Sequence, residues 1–333
     1  MRESKPLRTA TAPVVSVVLP TFNRLKYLRS AVDSVFAQTF SEWELIIADD
    51  GSNEETRTYL RALENPPHVR IIWLSHSGIP SAVRNAALKD ARGEYIAFLD
   101  SDDQWVPMKL ERQIAALRAQ VNCHWSYTGY IRIDASGEPK SSAGYDKRIR
   151  YRGAILEHLL VHAVDIWTPA VVVERHLLTQ VGGFDEKLLL FEDYDLWMRL
   201  ASQSEVHLID EPLICVRSHD QHYIANDGAV SMMACRHRSL QNMRRLVTDS
   251  QLRSLVGRAH ARSVLDLASL HATTDRLAAS RTILSGFACS WRYGQWWAGL
   301  PWVLLRLVVP RALIDFYRPA SASGEPRTDP GFR

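Results

Sequence analysis

Hydrophobic and polar positions alternate in a regular order along the first hundred residues. Short apolar runs rich in β-branched residues predict buried strands, and apolar residues spaced three or four apart predict amphipathic helices between them. The predicted strands cover residues 14–19, 45–48, 69–74 and 95–99, and the predicted helices cover residues 25–35, 54–63 and 78–88. This alternation predicts an α/β fold with a mostly parallel sheet, right-handed crossovers and flanking helices.

An acidic cluster directly follows the fourth predicted strand. The apolar run 95–99 ends in the sequence DSDD, residues 100–103. Ligands bind at the carboxyl ends of strands in open α/β sheets, and neighbouring carboxylates repel one another unless a cation lies between them. Hard divalent ions such as Mg²⁺ and Mn²⁺ prefer oxygen ligands, so the cluster indicates a metal-bridged diphosphate. The alternative is that these residues only cap a helix that begins near Pro107.

Glycine-rich phosphate-binding motifs are absent from the sequence. No GxGxxG and no GxxxxGK[ST] pattern occurs, which argues against a dinucleotide-binding fold and against a P-loop. Carboxylates follow two of the predicted buried strands instead, at residues 49–50 and 100–103. The expectation therefore shifts from phosphate binding by backbone amides to phosphate binding through a metal ion.

Composition matches a folded chain with an uneven distribution of charge. The 333 residues are 46% apolar, and the four cysteines are scattered without CxxC spacing. With no secretory signal at the amino end, we expect a reducing cytosolic environment. Residues 236–333 contain 15 arginines, no lysine and six acidic residues, a net charge of +9, whereas the remainder carries −6. This acidic body does not resemble a nucleic-acid-binding protein, whose basic residues run through the fold.

The carboxyl-terminal region combines helical patterning with aromatic residues. Four tryptophans, including Trp296 and Trp297, fall between residues 291 and 302, beside an apolar run at 300–309 that is too short to cross a bilayer. Tryptophan beside arginine is typical of a membrane interface and predicts peripheral membrane contact. The alternative is a helical subdomain that packs on the α/β core. Residues 319–333, rich in Ser, Pro and Gly, are predicted to be disordered.

Six ordered motifs resemble the signature of family 2 glycosyltransferases with the GT-A fold. They are VVLPTFNR (residues 17–24), ADDGS (48–52), AVRN (82–85), FLDSDD (98–103), VGGFDE (181–186) and FEDYDLWMRL (191–200). The resemblance covers about residues 14–220, with small departures at Val83, where the family usually has Ala, and in the absence of a nearby glycine pair. It implies a metal-dependent enzyme that inverts the anomeric configuration of a sugar taken from a nucleoside-diphosphate sugar.

On the nucleotide side, the resemblance implies roles for four residues. Pro20 and Thr21 line the nucleotide pocket, although a strand-ending turn would also explain them. Asp50 accepts a hydrogen bond from the base, and an Asp-Gly turn is the alternative. Arg84 approaches the nucleotide or its phosphates, a role compatible with a salt bridge to Asp100 or Asp102.

The resemblance also implies the contacts of the ribose, the metal and the diphosphate. Asp100 contacts the ribose, Asp102 binds Mn²⁺ or Mg²⁺, and Asp103 is expected to cap a helix. Arg217 and His219 match a family site on a loop near the diphosphate. His219 is assigned there as a metal ligand, and a surface histidine is the alternative.

A second acidic group supplies the general base that the resemblance requires. Asp193 is expected to deprotonate the acceptor hydroxyl, and Glu192 is expected to orient or assist it. Acidic residues in the first turn of a helix are also favoured by the helix dipole, so capping is the alternative. A cap needs one acid, whereas three of the four residues 192–195 are acidic.

Together these expectations describe a GT-A catalytic domain over residues 1–235, with a nucleotide-sugar half at about 14–110 and an acceptor half at about 111–235. A helical region at 236–318 and the tail follow.

The expected substrates are a nucleoside-diphosphate sugar, with a UDP-sugar favoured, and a glycan or lipid-linked acceptor in cell-surface polysaccharide or lipopolysaccharide synthesis. The expected location is the cytoplasm, with peripheral contact at the inner face of the cytoplasmic membrane. Two alternatives remain: a sugar-phosphate nucleotidyltransferase, whose glycine-rich basic loop is missing, and a non-catalytic nucleotide- or carbohydrate-binding relative.

Overall fold

The computed structural model describes residues 12–64, 66–140, 151–218 and 228–308. The chain divides into two units, residues 1–226 and residues 227–333. Within the first unit, the strands and helices predicted for the first hundred residues are present to within two residues at each end.

The first unit contains the strands and most of the shorter helices. The strands are β1 (Val15–Thr21), β2 (Trp43–Asp49), β3 (Val69–Trp73), β4 (Tyr95–Phe98), β5 (Gln104–Trp105), β6 (Cys123–Ile133), β7 (Val172–Glu174) and β8 (Glu205–Arg217). The helices are α1 (Leu25–Phe36), α2 (Glu54–Leu63), α3 (Pro80–Lys89), α4 (Lys109–Ala119), α5 (Leu156–Leu160), α6 (Arg175–Gln180) and α7 (Glu192–Ala201). A 3₁₀ turn at Thr168–Ala170 precedes β7.

The described strands form one sheet in the order β3-β2-β1-β4-β7-β6-β8-β5. β1 pairs in parallel with β2 on one side and with β4 on the other, so Val18 lies opposite both Ile46 and Phe98. β7 runs antiparallel to β4 and β6, and β8 is parallel to β6 but antiparallel to β5. The carboxyl ends of β1, β2 and β4 therefore meet at one edge, and the β5–β8 pairing brings Arg217 to the loop after β4.

The central strands are buried along their length, which explains their continuous apolar runs. Every residue of β2 is buried, and α1 packs Leu28, Val32 and Val35 inward at helical spacing. Between β6 and α7, the rings of Trp125 and Trp197 stack with centroids 6.0 Å apart. Each such large apolar side chain contributes about 1.5–3 kcal/mol on burial, so the edge that carries the site rests on a well-packed core.

The second unit is helical throughout its described residues. Its helices are α8 (Gly228–Leu246), α9 (Ser250–Thr274), α10 (Arg276–Ser290) and α11 (Gly294–Val308). Asp249 and Asp275 cap α9 and α10, because their carboxylates accept hydrogen bonds from backbone N–H groups of the first turn. Among the described residues, none of the helices combines the length and hydrophobicity that a membrane-crossing segment needs.

The structure separates the two neighbouring tryptophans that the sequence analysis treated as one surface cluster. Trp296 is fully buried, in a cluster with Val264, Leu265, Ala268 and Val303, whereas Trp297 is 53% exposed. Adjacent residues of a helix point about 100° apart, so the two side chains lie on different sides of α11. Assigning Trp296 to a membrane-facing cluster was therefore wrong, and this residue belongs to the core of the second unit.

Candidate active site

Asp50 ties together the loops at the carboxyl edge of the sheet. Its carboxylate accepts hydrogen bonds from the backbone N–H of Ser77 (2.8 Å) and of Gly78 (2.9 Å). Its own N–H donates to the carbonyl oxygen of Thr21 at 2.9 Å. Asp50 thereby holds the segment that precedes α3 against the ends of β1 and β2, and its carboxylate also accepts a hydrogen bond from the Ser77 hydroxyl at 3.0 Å.

Two aromatic rings stand next to Asp50, a feature that the sequence analysis missed. The His76 Nδ1 atom lies 3.0 Å from the Asp50 carboxylate, and the His76 ring stacks on Phe22 with centroids 4.0 Å apart. The close approach of His76 needs a glycine at position 51. Gly51 has a φ of +77°, and a Cβ atom there would lie 2.8 Å from the backbone nitrogen of His76. Phe22 is exposed, so the rings offer an aromatic surface beside a hydrogen-bond acceptor.

Pro20 and Thr21 end β1 at the same edge. The Thr21 hydroxyl is buried and has no hydrogen-bond partner within the described ranges. An unsatisfied buried hydroxyl costs about 1–3 kcal/mol, so this oxygen is a candidate for contact with a ligand or with water. Pro20, which is half-buried, contributes no N–H donor.

Arg84, on α3, connects the two acidic groups. Its guanidinium lies 2.7 Å from Asp100 after β4 and 3.1 Å from Glu192 at the start of α7. Burial alone would lower the pKa of Arg84, but the carboxylates of Asp100 and Glu192 raise it above its usual value. The predicted salt bridge to the first acidic group is thus present, and a second one, across the site, was not predicted.

Asp193 lies next to this bridge, in the first turn of α7. Its carboxylate accepts one hydrogen bond from the backbone N–H of Tyr194 at 2.6 Å and another from the Thr168 hydroxyl at 3.3 Å. Burial raises the pKa of Asp193, the negative charge of Glu192 raises it further, and Arg84 only partly opposes them, so the pKa reaches about 7. A carboxyl group with this pKa can both take up and release a proton near neutral pH.

Asp102 and Asp103 are held in different ways. Asp102 contacts Arg24 at the start of α1, and the Asp103 carboxylate accepts a hydrogen bond from the N–H of Arg217 at 2.8 Å. Burial raises the pKa of Asp103 well above its usual range, with further contributions from the charges of Asp102 and Asp100. The expectation that Asp103 caps a helix was wrong, because α4 begins at Lys109, without a side-chain cap, and Asp103 binds β8 instead.

Arg217 is buried and bound to backbone carbonyls on two sides. Its Nε donates to Asp102 O at 2.8 Å and its Nη1 to Asp134 O at 3.2 Å. The structure therefore places Arg217 beneath the acidic loop, where it supports the position of Asp102. His219 lies outside the described residues.

Asn85 was not singled out by the sequence analysis, although it adjoins Arg84 in the AVRN motif. Its side-chain amide donates to Phe184 O at 2.9 Å, and its side-chain oxygen accepts from Phe184 N at 3.0 Å. Gly183 in the same turn has a φ of +67°, and a Cβ there would lie 3.0 Å from the Asn85 oxygen. Asn85 thus links α3 to the VGGFDE turn, two motifs that stand far apart in the sequence.

Arg199 holds the other side of that turn and was also missed. It donates to Val181 O and Gly183 O, both at 2.7 Å, and its Nη2 lies 2.7 Å from the Asp195 carboxylate. The signal was present in the sequence, because an acid and an arginine four residues apart on a helix can pair. Asp195 is therefore occupied by a structural ion pair, which leaves Glu192 and Asp193 as the acids that face Arg84.

The acidic loop after β4 fits a divalent ion only if the substrate supplies some of the ion's ligands. Among the described residues, no three His, Cys, Asp or Glu side chains are arranged to hold a metal ion by themselves. Magnesium-like ions commonly bind through one or two carboxylates and complete their shell with substrate phosphates and water. Asp100 and Asp102 supply such an oxygen-only set, so these residues fit an ion that arrives with a diphosphate.

Comparison with known sequences connects this site to one family. The sequence model described as Glycosyl transferase family 2 matches residues 16–162. An uncharacterized glycosyltransferase of Rickettsia typhi is 34% identical over 215 residues, which make up 63% of this chain and 65% of that protein. This chain therefore spans just under two thirds of that relative. The UDP-Glc:alpha-D-GlcNAc-diphosphoundecaprenol beta-1,3-glucosyltransferase WfgD of Escherichia coli is 30% identical over 203 residues, 61% of this chain and 75% of that protein.

A solved structure shares the fold. The mannosyltransferase PcManGT from Pyrobaculum calidifontis, in complex with GDP-Man and Mn²⁺, matches with a TM-score of 0.57 at 16% identity, over 94% of this chain and 91% of that one. At this identity the likeness concerns the fold alone, and it confirms the α/β, GT-A-like architecture expected from the sequence.

Proposed function

This chain belongs to glycosyl transferase family 2, and we propose that it is an inverting glycosyltransferase. It transfers a sugar from a nucleoside-diphosphate sugar to an acceptor hydroxyl. One observation carries this proposal: Arg84 bridges Asp100, at the end of β4, and Glu192, next to Asp193. A single guanidinium thus joins the edge of the sheet suited to a nucleotide with the residue next to the carboxyl group suited to remove a proton.

The proposed donor half is residues 14–110, and the proposed acceptor half is residues 111–235. At the donor end, Asp50 accepts a hydrogen bond from the base, whose ring lies against the exposed Phe22. Pro20 and the hydroxyl of Thr21, which has no hydrogen-bond partner among the described residues, complete this pocket. Asp100 binds the ribose, and Arg84 faces the diphosphate.

Asp193 is the proposed general base. The acceptor oxygen attacks the anomeric carbon while its proton passes to the Asp193 carboxylate. The bond from the anomeric carbon to the diphosphate oxygen breaks, and its electron pair leaves with the nucleoside diphosphate. Attack from the face opposite the leaving group inverts the anomeric configuration. The pKa of about 7 suits this role, because a base is most effective when its pKa is near the working pH.

Glu192 has a positioning role in this scheme. Its carboxylate holds Arg84 from the side of α7, and its negative charge helps to raise the pKa of Asp193. The same ion pair keeps Arg84 close to Asp100. Loss of Glu192 would therefore change both the position of the guanidinium and the basicity of Asp193.

Mn²⁺ or Mg²⁺ is the proposed cofactor. Asp102 would hold the ion with help from Asp100, and His219 stays a predicted second ligand outside the described residues. When bound, the ion offsets the negative charge that grows on the leaving diphosphate. Arg217 supports the carbonyl of Asp102 from beneath, and its predicted contact with the diphosphate stays part of this proposal.

The proposed donor is a UDP-sugar, and the proposed acceptor is a lipid-linked glycan in cell-surface polysaccharide synthesis. Support comes from WfgD, whose name gives UDP-Glc as donor and a diphosphoundecaprenol-linked acceptor. An acceptor anchored in a membrane requires an enzyme that reaches the membrane surface. Peripheral membrane contact is therefore part of the proposal.

The test uses purified chain, a panel of nucleoside-diphosphate sugars and lipid-linked or synthetic glycan acceptors, with Mn²⁺ present or removed by chelation. We expect release of free nucleoside diphosphate that depends on both acceptor and metal, and a product of inverted configuration by NMR. A product of retained configuration would contradict the assignment of Asp193. Release of pyrophosphate from a nucleoside triphosphate and a sugar phosphate would indicate a nucleotidyltransferase, and donor binding without turnover would indicate a non-catalytic relative.

A further inference from the structure

Helices α10 and α11 expose large apolar side chains on one side. We call this side the outer face and define it by Leu284, Phe287, Trp297, Trp302, Leu305 and Val308, each between 45% and 78% exposed. The other side of α11 carries Trp296 and Val303, which are buried in the core of the second unit. The exposure is therefore not a sign of loose packing, because the same helix packs tightly on its inner side.

The outer face is continuous from one helix to the next. The rings of Phe287 and Trp297 contact each other edge to face, with centroids 6.2 Å apart. The Trp297 indole N–H donates to the carbonyl oxygen of Trp291 at 2.8 Å, which fixes the turn between the helices. Single exposed apolar residues are common on protein surfaces, but a contiguous group of this size marks an interaction surface.

The charge around the outer face has one sign. Residues 276–308 contain four arginines and no acidic residue. Two of these guanidinium groups lie over tryptophan rings: Arg292 is 5.3 Å from the centroid of Trp291, between α10 and α11, and Arg306 is 5.4 Å from that of Trp302 in α11. Arg306 also donates from Nη1 to the Ser269 hydroxyl of α9 at 2.6 Å.

The positive charge of these arginines distinguishes two candidate occupants of the outer face, a second copy of this chain and a lipid surface. A second copy of this chain, paired through the same face, would bring a surface of the same positive charge against this one, with no acidic residue from 276–308 to compensate it. An anionic lipid surface supplies negative headgroups for the arginines and an acyl boundary for the leucines and tryptophans. We propose that the outer face lies flat on an anionic membrane, with its apolar side chains at the headgroup level.

This inference rests on the proposed function in one respect, namely that the proposed acceptor is anchored in a membrane. Its test is flotation of the full chain with vesicles of phosphatidylcholine alone or with phosphatidylglycerol added, without donor, acceptor or metal. We expect binding to the anionic vesicles, weaker binding at high salt, and little binding to the neutral ones. Replacement of Arg281 and Arg292 by Gln should weaken binding about fivefold per arginine.

The apolar contribution is tested with Leu284→Ser combined with Leu305→Ser. Both leucines are exposed, Leu284 at 75% and Leu305 at 46%, so we expect the melting temperature to hold while vesicle binding falls by about tenfold or more. Val121→Ser is the matched control, because Val121 is 87% exposed in the first unit. It should leave vesicle binding unchanged.

Three results would overturn the inference. They are equal binding to neutral and anionic vesicles, unchanged binding of the double leucine variant, or self-association in free solution that the double variant abolishes while vesicles are not bound. Transfer to a soluble glycan acceptor is measured separately on the same preparations. Because flotation needs no catalysis, failure of the membrane inference and failure of the proposed activity give distinguishable results.

Discussion

In the first unit, Arg84, Arg199 and Arg217 are buried beside carboxyl and carbonyl groups, whereas in the second unit α10 and α11 expose leucine and tryptophan. Burying an ion costs several kcal/mol unless a partner compensates it, and exposing a contiguous apolar surface favours association. Charged side chains usually lie on the surface of a protein and apolar ones inside. The first unit departs from this by burying arginines, and the second by exposing leucine and tryptophan. Among the buried arginines, Arg84 suits a charged nucleotide, and in the second unit the exposed apolar side chains suit a lipid surface.

The largest expected effect concerns Asp193 in the first unit. Asp193→Asn should lower kcat by about 10²–10⁴-fold, because it removes the proposed base, while the Kd for the donor stays the same. Rapid quench kinetics and calorimetry on one preparation measure both. Asp185→Asn, in the VGGFDE turn, is the control and should keep its rate. Near-normal transfer by the Asp193 variant would make Glu192 the next candidate.

The same assignment predicts a pH profile. Because the pKa of Asp193 is raised to about 7, the base is protonated and inactive below that pH. The wild-type kcat/KM should rise with pH and level off above about 7. The raised pKa also means that the ionised form destabilises the fold, so wild type should lose stability relative to Asp193→Asn as the pH rises from 4 through 7. A flat rate profile over this range would contradict the role of base.

A second test compares two neighbouring carboxylates of the first unit. Asp102→Asn should weaken Mn²⁺-dependent binding of nucleoside diphosphate by at least about tenfold, as loss of a metal ligand does. Asp103→Asn should change this affinity little, because the Asp103 side chain binds the backbone of Arg217. Titration calorimetry with and without Mn²⁺ measures both variants. Equal losses in the two would mean that the loop as a whole, rather than Asp102, holds the ion.

The third test measures what a buried ion pair contributes. Arg199→Ala should cost about 3–5 kcal/mol in free energy of unfolding, because Asp195 then stays buried without its partner. Arg61→Ala, which removes the exposed pair with Glu54, should cost under about 1 kcal/mol. Urea denaturation followed by tryptophan fluorescence gives both values. Similar costs for the two variants would show that burial does not make the Arg199–Asp195 pair contribute more to stability than an exposed pair.

The last test compares adjacent tryptophans of the second unit. Trp296→Ala should cost about 3–5 kcal/mol by opening a cavity in the core, and Trp297→Ala should cost about 1 kcal/mol or less. Thermal unfolding monitored by circular dichroism separates the two. A large loss for Trp297 would mean that the outer face is needed for folding and is not simply a binding surface.

Local patterns were sufficient for the parallel part of the sheet. The runs that became β1, β2 and β4 are apolar because each strand is buried on both faces, and the helices between them keep a 3.6-residue period. The antiparallel insertion of β7 next to β4 was not predicted. β7 has only three residues, and its place depends on pairing with strands far away in the chain.

The candidate site likewise has features that the sequence predicted and features that it did not. The acidic groups at 100–103 and 192–195 were visible because the residue types themselves are unusual in such a pattern. The bridge from Arg84 to Glu192 was not visible, since it joins residues 108 positions apart. Asn85 was overlooked for a related reason, because its partners on Phe184 are backbone atoms of a turn, which leave no trace in residue type. Arg199 could have been found, since its spacing of four residues from Asp195 is visible in the sequence.

By itself, the sequence determined which segments become strands and helices in the first hundred residues, where carboxylates follow them, and which family the motifs resemble. These properties depend on residues a few positions apart. Only the tertiary structure decided which arginine neutralises which acid, that Asp103 binds β8 rather than capping a helix, and that Trp296 is core while Trp297 is surface. Burial and electrostatic pairing are set by atoms that distant segments bring within a few ångströms, so no local pattern can specify them.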